Sequence, residues 1–208
     1  MAGAGARTAA PAAAPASSRG TKRVFFVRHA EGWHNRNCDW HSPDPELTPL
    51  GLEQCRALRQ HQSLGPALAD VELVVVSPLR RTLQTALLGV GEALPAPVPF
   101  VAHPLVMEVE REGCNDGREG AELAGMFPTV QGLGELPKNW WAKEGLGAPH
   151  RARERFAQFT TGFLAGRPES TIVVVAHHTI LHCAFGVSLQ NCGVLEMRLQ
   201  EGGTWARP

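Results

Sequence analysis

Three short, almost wholly apolar runs rich in β-branched and aromatic residues constrain this chain most: KRVFFVR at residues 22–28, VELVVVSP at 71–78 and TIVVVAH at 171–177. Each is far too short to span a bilayer, and the composition suits strands buried on both faces, as in a parallel sheet. Helical signals lie between them. Thr48 and Pro49 supply an N-cap and a first-turn proline ahead of Leu52, Cys55 and Leu58, which predicts a helix to about His61. Residues 79–90 and 150–165 read as further helices, the second with Phe156, Phe159, Phe163 and Leu164 on one stripe. Residues 95–102 include a short strand, and GVLEMRLQ at 193–200 alternates as an edge strand does. Glycine, proline and polar residues dominate 110–149, which reads as an irregular cap with one short helical stretch near 122–127.

Strands alternating with helices predict an α/β fold, a three-layer α/β/α sandwich with a mostly parallel central sheet and an irregular cap. With 208 residues there is room for one such domain. It is assigned to residues 21–208 with the cap inserted at about 109–149, after a disordered Ala/Pro/Ser-rich leader at 1–20.

Twenty basic and 20 acidic residues give a formal net charge of +0, so nothing global selects nucleic acid or an anionic membrane as partner. Five scattered cysteines, Cys38, Cys55, Cys114, Cys183 and Cys192, form no C-x-x-C pair and fit a reducing compartment. Cytoplasm is the expected location, with plastid or mitochondrion the alternative if the leader is a transit peptide.

Ligands of parallel sheets collect beyond the carboxyl ends of the strands. There the three runs deliver Arg28-His29, Ser77 to Arg81, and His177-His178. Planar guanidinium forks match phosphate oxygens and stay charged, so such a rim stabilises a transferring phosphoryl group without magnesium, and a neutral imidazole can attack phosphorus. The substrate class this implies is a small phosphorylated molecule.

Five ordered segments carry a closer likeness. VRHAEGWHN resembles an R-H-G-E-x-x-x-N signature, LTPLGLEQC resembles L-T-x-x-G-x-x-Q, and SPLRRTLQTA resembles S-P-L-x-R-x-x-Q-T-A. PLVMEVEREGCNDG is similar to an acid-bearing segment, and VVVAHHTIL resembles V-V-x-H-G. Together they resemble the histidine phosphatase superfamily, in its phosphoglycerate-mutase-like branch, over nearly everything after the leader. The resemblance implies that His29 becomes phosphohistidine, that Arg28, Asn35, Arg81 and His177 bind phosphate, and that His177 is the second catalytic histidine. Glu108 aligns best with the acid, with Glu110 and Glu112 as alternatives. Counting from Ser77 selects Arg81 over Arg80, which is left as a solvated neighbour. Ala30 and His178 stand where glycine is usual, which questions the backbone at both.

The implied activity is metal-independent, cofactor-free hydrolysis of a phosphomonoester. Phosphoglycerate mutase chemistry through the same phosphohistidine is one alternative, and a catalytically silent domain that binds phosphorylated ligands is another. His178 and His182 have i, i+4 spacing, but no H-E-x-x-H motif or third ligand accompanies them, so no metal site is assigned. His34, His41, His61, His103 and His150 read as loop or surface residues and receive no role, although His34 lies near the signature. Trp33, Trp40, Trp140 and Trp141 read as packing, with Trp33 and the Trp140-Trp141 pair placed in sequence to wall a pocket.

Overall fold

The computed structural model describes residues 20–208, so the expected leader lies outside the described residues apart from Gly20. Its strands are β1 (Lys22–Arg28), β2 (Leu73–Val76), β3 (Phe100–Ala102), β4 (Val130–Gln131), β5 (Thr171–Ala176), β6 (Val194–Leu199) and β7 (Trp205–Ala206). They form one sheet in the order β4-β3-β2-β5-β1-β6-β7. The five strands from β4 to β1 run parallel, and β6 and β7 are antiparallel additions beyond β1. The helices are α1 (Trp33–Asn37), α2 (Pro49–Ala57), α3 (Leu64–Ala67), α4 (Arg80–Gln84), α5 (Gly120–Met126), α6 (Ala152–Gln158) and α7 (His178–Phe185).

Side-chain alternation along the apolar runs divides the core in two. Phe25, Val27, Val74, Val76, Val173 and Val175 face Leu58, Leu64, Leu83 and Ala86, from α2 to α4 and the turns that continue them. Val24, Phe26, Leu73, Val75, Ile172 and Val174 face Phe156, Phe159, Ile180 and Leu181, from α6, the turn that continues it, and α7. Both faces are covered, as a parallel sheet requires, and this is the three-layer sandwich expected from the sequence. Each large buried side chain contributes about 1.5–3 kcal/mol of transfer free energy.

Local signals act where the sequence places them. Thr48 Oγ1 accepts from the Gly51 N–H at 3.0 Å and so caps α2, which a 3₁₀ turn extends to Gln60. The helix expected at 79–90 runs from Arg80 to Val90, its second half as a π turn.

Two elements and one side chain differ from expectation. The cap is not wholly irregular, because β4 lies within it and extends the sheet, while Leu123, Leu133 and Trp140 enter the main core. The strand at 194–199 is not the edge. The chain reverses through Gly202 and Gly203, both at positive φ, and returns as β7, with Trp205 packed on Phe26, Phe156 and Phe185. A two-residue strand has too little length to show a period. Arg80 is not solvated. It is bound through Nε to buried Asp44 at 3.2 Å and through a terminal nitrogen to Glu46 at 2.7 Å.

Two glycine substitutions make opposite predictions. A Cβ on Gly51 would drive into the backbone carbonyl of Glu31, whereas one on Gly125 in α5 meets nothing. Gly51→Ala is expected to lose more than about 2 kcal/mol in urea denaturation. Gly125→Ala is expected to gain about 0.4–1 kcal/mol, by restricting the unfolded chain.

Candidate active site

The register of β1, β2 and β5 sets three chain segments side by side. Past the last paired residues, the His29 N–H donates to the Ala176 carbonyl and the Ser77 N–H to the Val175 carbonyl, each at 3.0 Å. Arg28, His29, Ser77 and His177 therefore emerge at one end of the sheet.

His29 is only 2% exposed and lies on a cavity of about 210 Å³. Its Nδ1 is 2.7 Å from the Ala30 carbonyl oxygen. A carbonyl can only accept, so Nδ1 carries the proton and Nε2 holds the free lone pair. Burial, with the positive charges of Arg81 and Arg28 nearby, pushes the imidazole well below its ordinary pKa and keeps it neutral.

Arg81, at the start of α4, is buried beside it. One terminal nitrogen donates to the Cys114 carbonyl at 2.7 Å, and the other donates to Asn115 Oδ1 at 2.7 Å and to His177 Nδ1 at 3.2 Å. With Nδ1 accepting, His177 Nε2–H donates to Ser77 Oγ at 2.8 Å. Both nitrogens of His177 are thus engaged within the protein. Its ring packs against His29, with centroids 5.2 Å apart, but it stands behind the cavity wall rather than on it.

Glu108, Glu110 and Glu112 all reach the cavity, and Glu108 is the buried one. Its Oε1 accepts from the N–H groups of Val109 at 2.8 Å and Ile180 at 3.1 Å, and Oε2 accepts from Thr179 N–H at 3.2 Å, at the start of α7. Burial, reinforced by the negative charge of Glu110, raises its pKa despite these donors. Lys143 Nζ and an Arg155 terminal nitrogen both bond the Glu108 backbone carbonyl, which fixes the segment from behind. Glu110 is bound instead by the Thr179 hydroxyl.

Of the residues implied by the resemblance, Arg28, His29, Asn35, Arg81 and Glu108 line this one cavity, and His177 does not. Asn35 Oδ1 accepts from Gly32 N–H and from Asn191, so its remaining donor is the amide nitrogen. Ala30 and His178 both keep φ outside the positive region, so neither site requires glycine. The Ala30 methyl packs with Leu47 and Cys55, and His178 opens α7 and joins the cavity wall. Sequence reasoning missed His34, which is 3% exposed and on the wall rather than on the surface, and Asn115, which orients Arg81. It also missed Ser77, which holds His177. The tryptophan on the wall is Trp40, while Trp33 points outward and Trp140 is core. His34 has a signal, being five residues past His29, on α1 just after the signature's first residues; Asn115 and Ser77 act through contacts remote in sequence.

A model of the histidine phosphatase superfamily (branch 1) matches residues 24–203. The chain belongs to that superfamily. It is 28% identical to a phosphoglycerate mutase-like protein of Arabidopsis thaliana, over 88% of this chain and 86% of the relative. It is also 28% identical to a protein of Schizosaccharomyces pombe named as a probable phosphatase, over 75% of this chain and 74% of that one. The fold superposes on the ecdysone phosphate phosphatase of Bombix mori, solved with tungstate, with a TM-score of 0.66 at 16% identity, covering 90% and 92% of the two chains. Relatives thus carry both phosphatase and mutase names. Among the described residues no helix is long and apolar enough to cross a membrane.

Buried histidines set the pH dependence of stability. His29 and His177 are pushed well below the usual imidazole value, His34 to about 3 and His103 to about 4, in each case chiefly by burial. In the unfolded chain each takes a proton near pH 6.5, so their contribution is complete above that pH and is lost as pH falls. Glu108 and Asp44 are raised by burial and act in the opposite sense, their contribution being lost as pH rises. Four groups outweigh two, so the urea midpoint is expected to drop between about pH 7.5 and about pH 5. At constant pH, Ser77→Ala leaves the His177 Nε2–H buried without its acceptor and is expected to cost about 1–3 kcal/mol in the same assay.

Proposed function

We propose that the protein hydrolyses a small phosphomonoester without a metal, through a phosphohistidine on His29. The observation that carries this reading is the Nδ1–H to Ala30 carbonyl bond, which leaves a neutral imidazole presenting a bare Nε2 beside the buried Arg81 and half-buried Arg28 guanidinium groups. Nε2 attacks phosphorus in line, the N–P bond forming as the ester P–O bond breaks. Glu108 gives its proton to the departing oxygen. Oε2, with a single N–H donor against two at Oε1, is the oxygen suited to carry that proton. Water then attacks the phosphohistidine, its proton passes to the Glu108 carboxylate, and His29 leaves neutral. Arg28, Arg81 and the Asn35 amide hold the phosphoryl oxygens, and His177 supports Arg81 and the His29 ring.

Hydrolysis is favoured over mutase chemistry by the charges at the mouth. Among the described residues Arg28 and Arg81 are the only fixed cations on the wall, and the phosphoryl group engages both. A phosphoglycerate would bring its own carboxylate against Glu110 and Glu112. Its isomerisation would also require a bisphosphorylated primer, and no such requirement is expected here.

Incubation with ³²P-labelled phosphomonoester is expected to trap an acid-labile, base-stable phosphoenzyme on the wild type and none on His29→Ala. An active wild type without the adduct would refute the mechanism. Glu108→Gln is expected to lower kcat for alkyl phosphates by about 10²–10⁴-fold, and much less for p-nitrophenyl phosphate, whose leaving group needs no proton.

A further inference from the structure

We infer that His34 is a further phosphoryl-binding residue, its Nε2–H donating to a phosphoryl oxygen alongside Arg28 and Arg81. This rests on the phosphoryl-transfer reading above and adds a donor to that site.

The His34 ring is nearly inaccessible yet forms part of the cavity wall. Its centroid lies 5.5 Å from that of His29, and Trp40 meets it edge to face at 5.7 Å and 74°. Nδ1 and Cε1 lie against Gly32, where any Cβ would strike them, so the ring occupies space that only this glycine leaves free. Nδ1 is sealed from solvent and has no hydrogen-bond partner, which leaves Nε2 as the nitrogen open to the cavity. Burial and the charges of Arg81 and Arg28 hold the ring neutral, with one N–H to place. On Nδ1 that proton would be a buried donor without an acceptor, a state that folded proteins avoid. On Nε2 it faces the cavity.

The two histidines then divide the work by tautomer. His29 presents a lone pair to phosphorus, and His34 presents a donor to one of its oxygens. The charged and titratable groups nearest His34 are Arg28, Arg81, His29 and His177, and no carboxylate forms an ion pair with it among the described residues. A phosphoryl oxygen is the acceptor that suits this environment. A histidine serving only to pack would have its nitrogens paired within the protein, as His177 does.

The test compares wild type, His34→Phe and His34→Gln in binding inorganic phosphate, measured as competitive inhibition of p-nitrophenyl phosphate hydrolysis, with melting temperatures recorded for each. Phe keeps the ring against Trp40 and removes the donor, and Gln returns an N–H near the position of Nε2. Phosphate is expected to bind about tenfold or more weakly to His34→Phe, the worth of a hydrogen bond to a charged group. His34→Gln is expected to recover to within about threefold of wild type. Equal phosphate affinity in wild type and a folded His34→Phe would overturn this inference while leaving the phosphatase reading intact. Equal weakening in both folded variants would overturn it too, since the donor would then not be what binds. A wild type that neither binds phosphate nor turns over the ester would remove both.

Discussion

The buried guanidinium of Arg81 is the constraint on which the rest of the site depends. Its hydrogen bonds reach the cap at Cys114 and Asn115 and the end of β5 at His177, so one side chain joins helix, cap and sheet. It forms no ion pair among the described residues, nor does Arg28, and each has a buried Nε without a partner. Neighbouring cations drawn from water without a direct ion pair, Arg81 fully and Arg28 in part, are costly in a free protein. In the proposed reading a dianionic phosphoryl group offsets that cost, and donors already fixed in place would need little reorganisation to bind it.

The parallel sheet makes this arrangement affordable in structural terms. Adjacent parallel strands place their carboxyl ends at one level, and the bonds from His29 N–H and Ser77 N–H to β5 carry that register past the sheet edge. The polar residues are consequently held by backbone rather than by long flexible side chains. Glu108 is treated the same way, with its carboxylate on the backbone of α7 and its carbonyl bound by Lys143 and Arg155. Burial then does the electrostatic work, keeping histidine neutral and glutamate protonatable.

The sequence made the strands legible because short β-branched runs have few alternative structures. It also made Arg81 legible, since a fixed count from Ser77 separates it from Arg80. The fate of Arg80 was not legible: its partner Asp44 lies 36 residues earlier in the chain, at φ 43°, and nothing local announces the contact. The supports of His177 are similarly remote, 100 residues away at Ser77 and 96 at Arg81. Strands β4 and β7 are too short for periodicity to register. The two positions where glycine is usual are explained by local backbone, for Ala30 and His178 adopt dihedrals open to any residue. His34 escaped because a polar residue soon after a strand is ordinarily exposed, whereas on α1 the space beside Gly32, the edge of Trp40 and the His29 ring bury it.

In the proposed mechanism Nε2 of His29 meets phosphorus while Arg28 and Arg81 hold its oxygens. A crystal structure with orthovanadate, which adopts the five-coordinate geometry of phosphoryl transfer, tests it most directly. Vanadium is expected to be bonded to His29 Nε2, with the guanidinium groups of Arg28 and Arg81 on the equatorial oxygens and the Glu108 carboxyl at the apical oxygen opposite. Vanadium bonded to another residue, or bound away from these arginines, would contradict it.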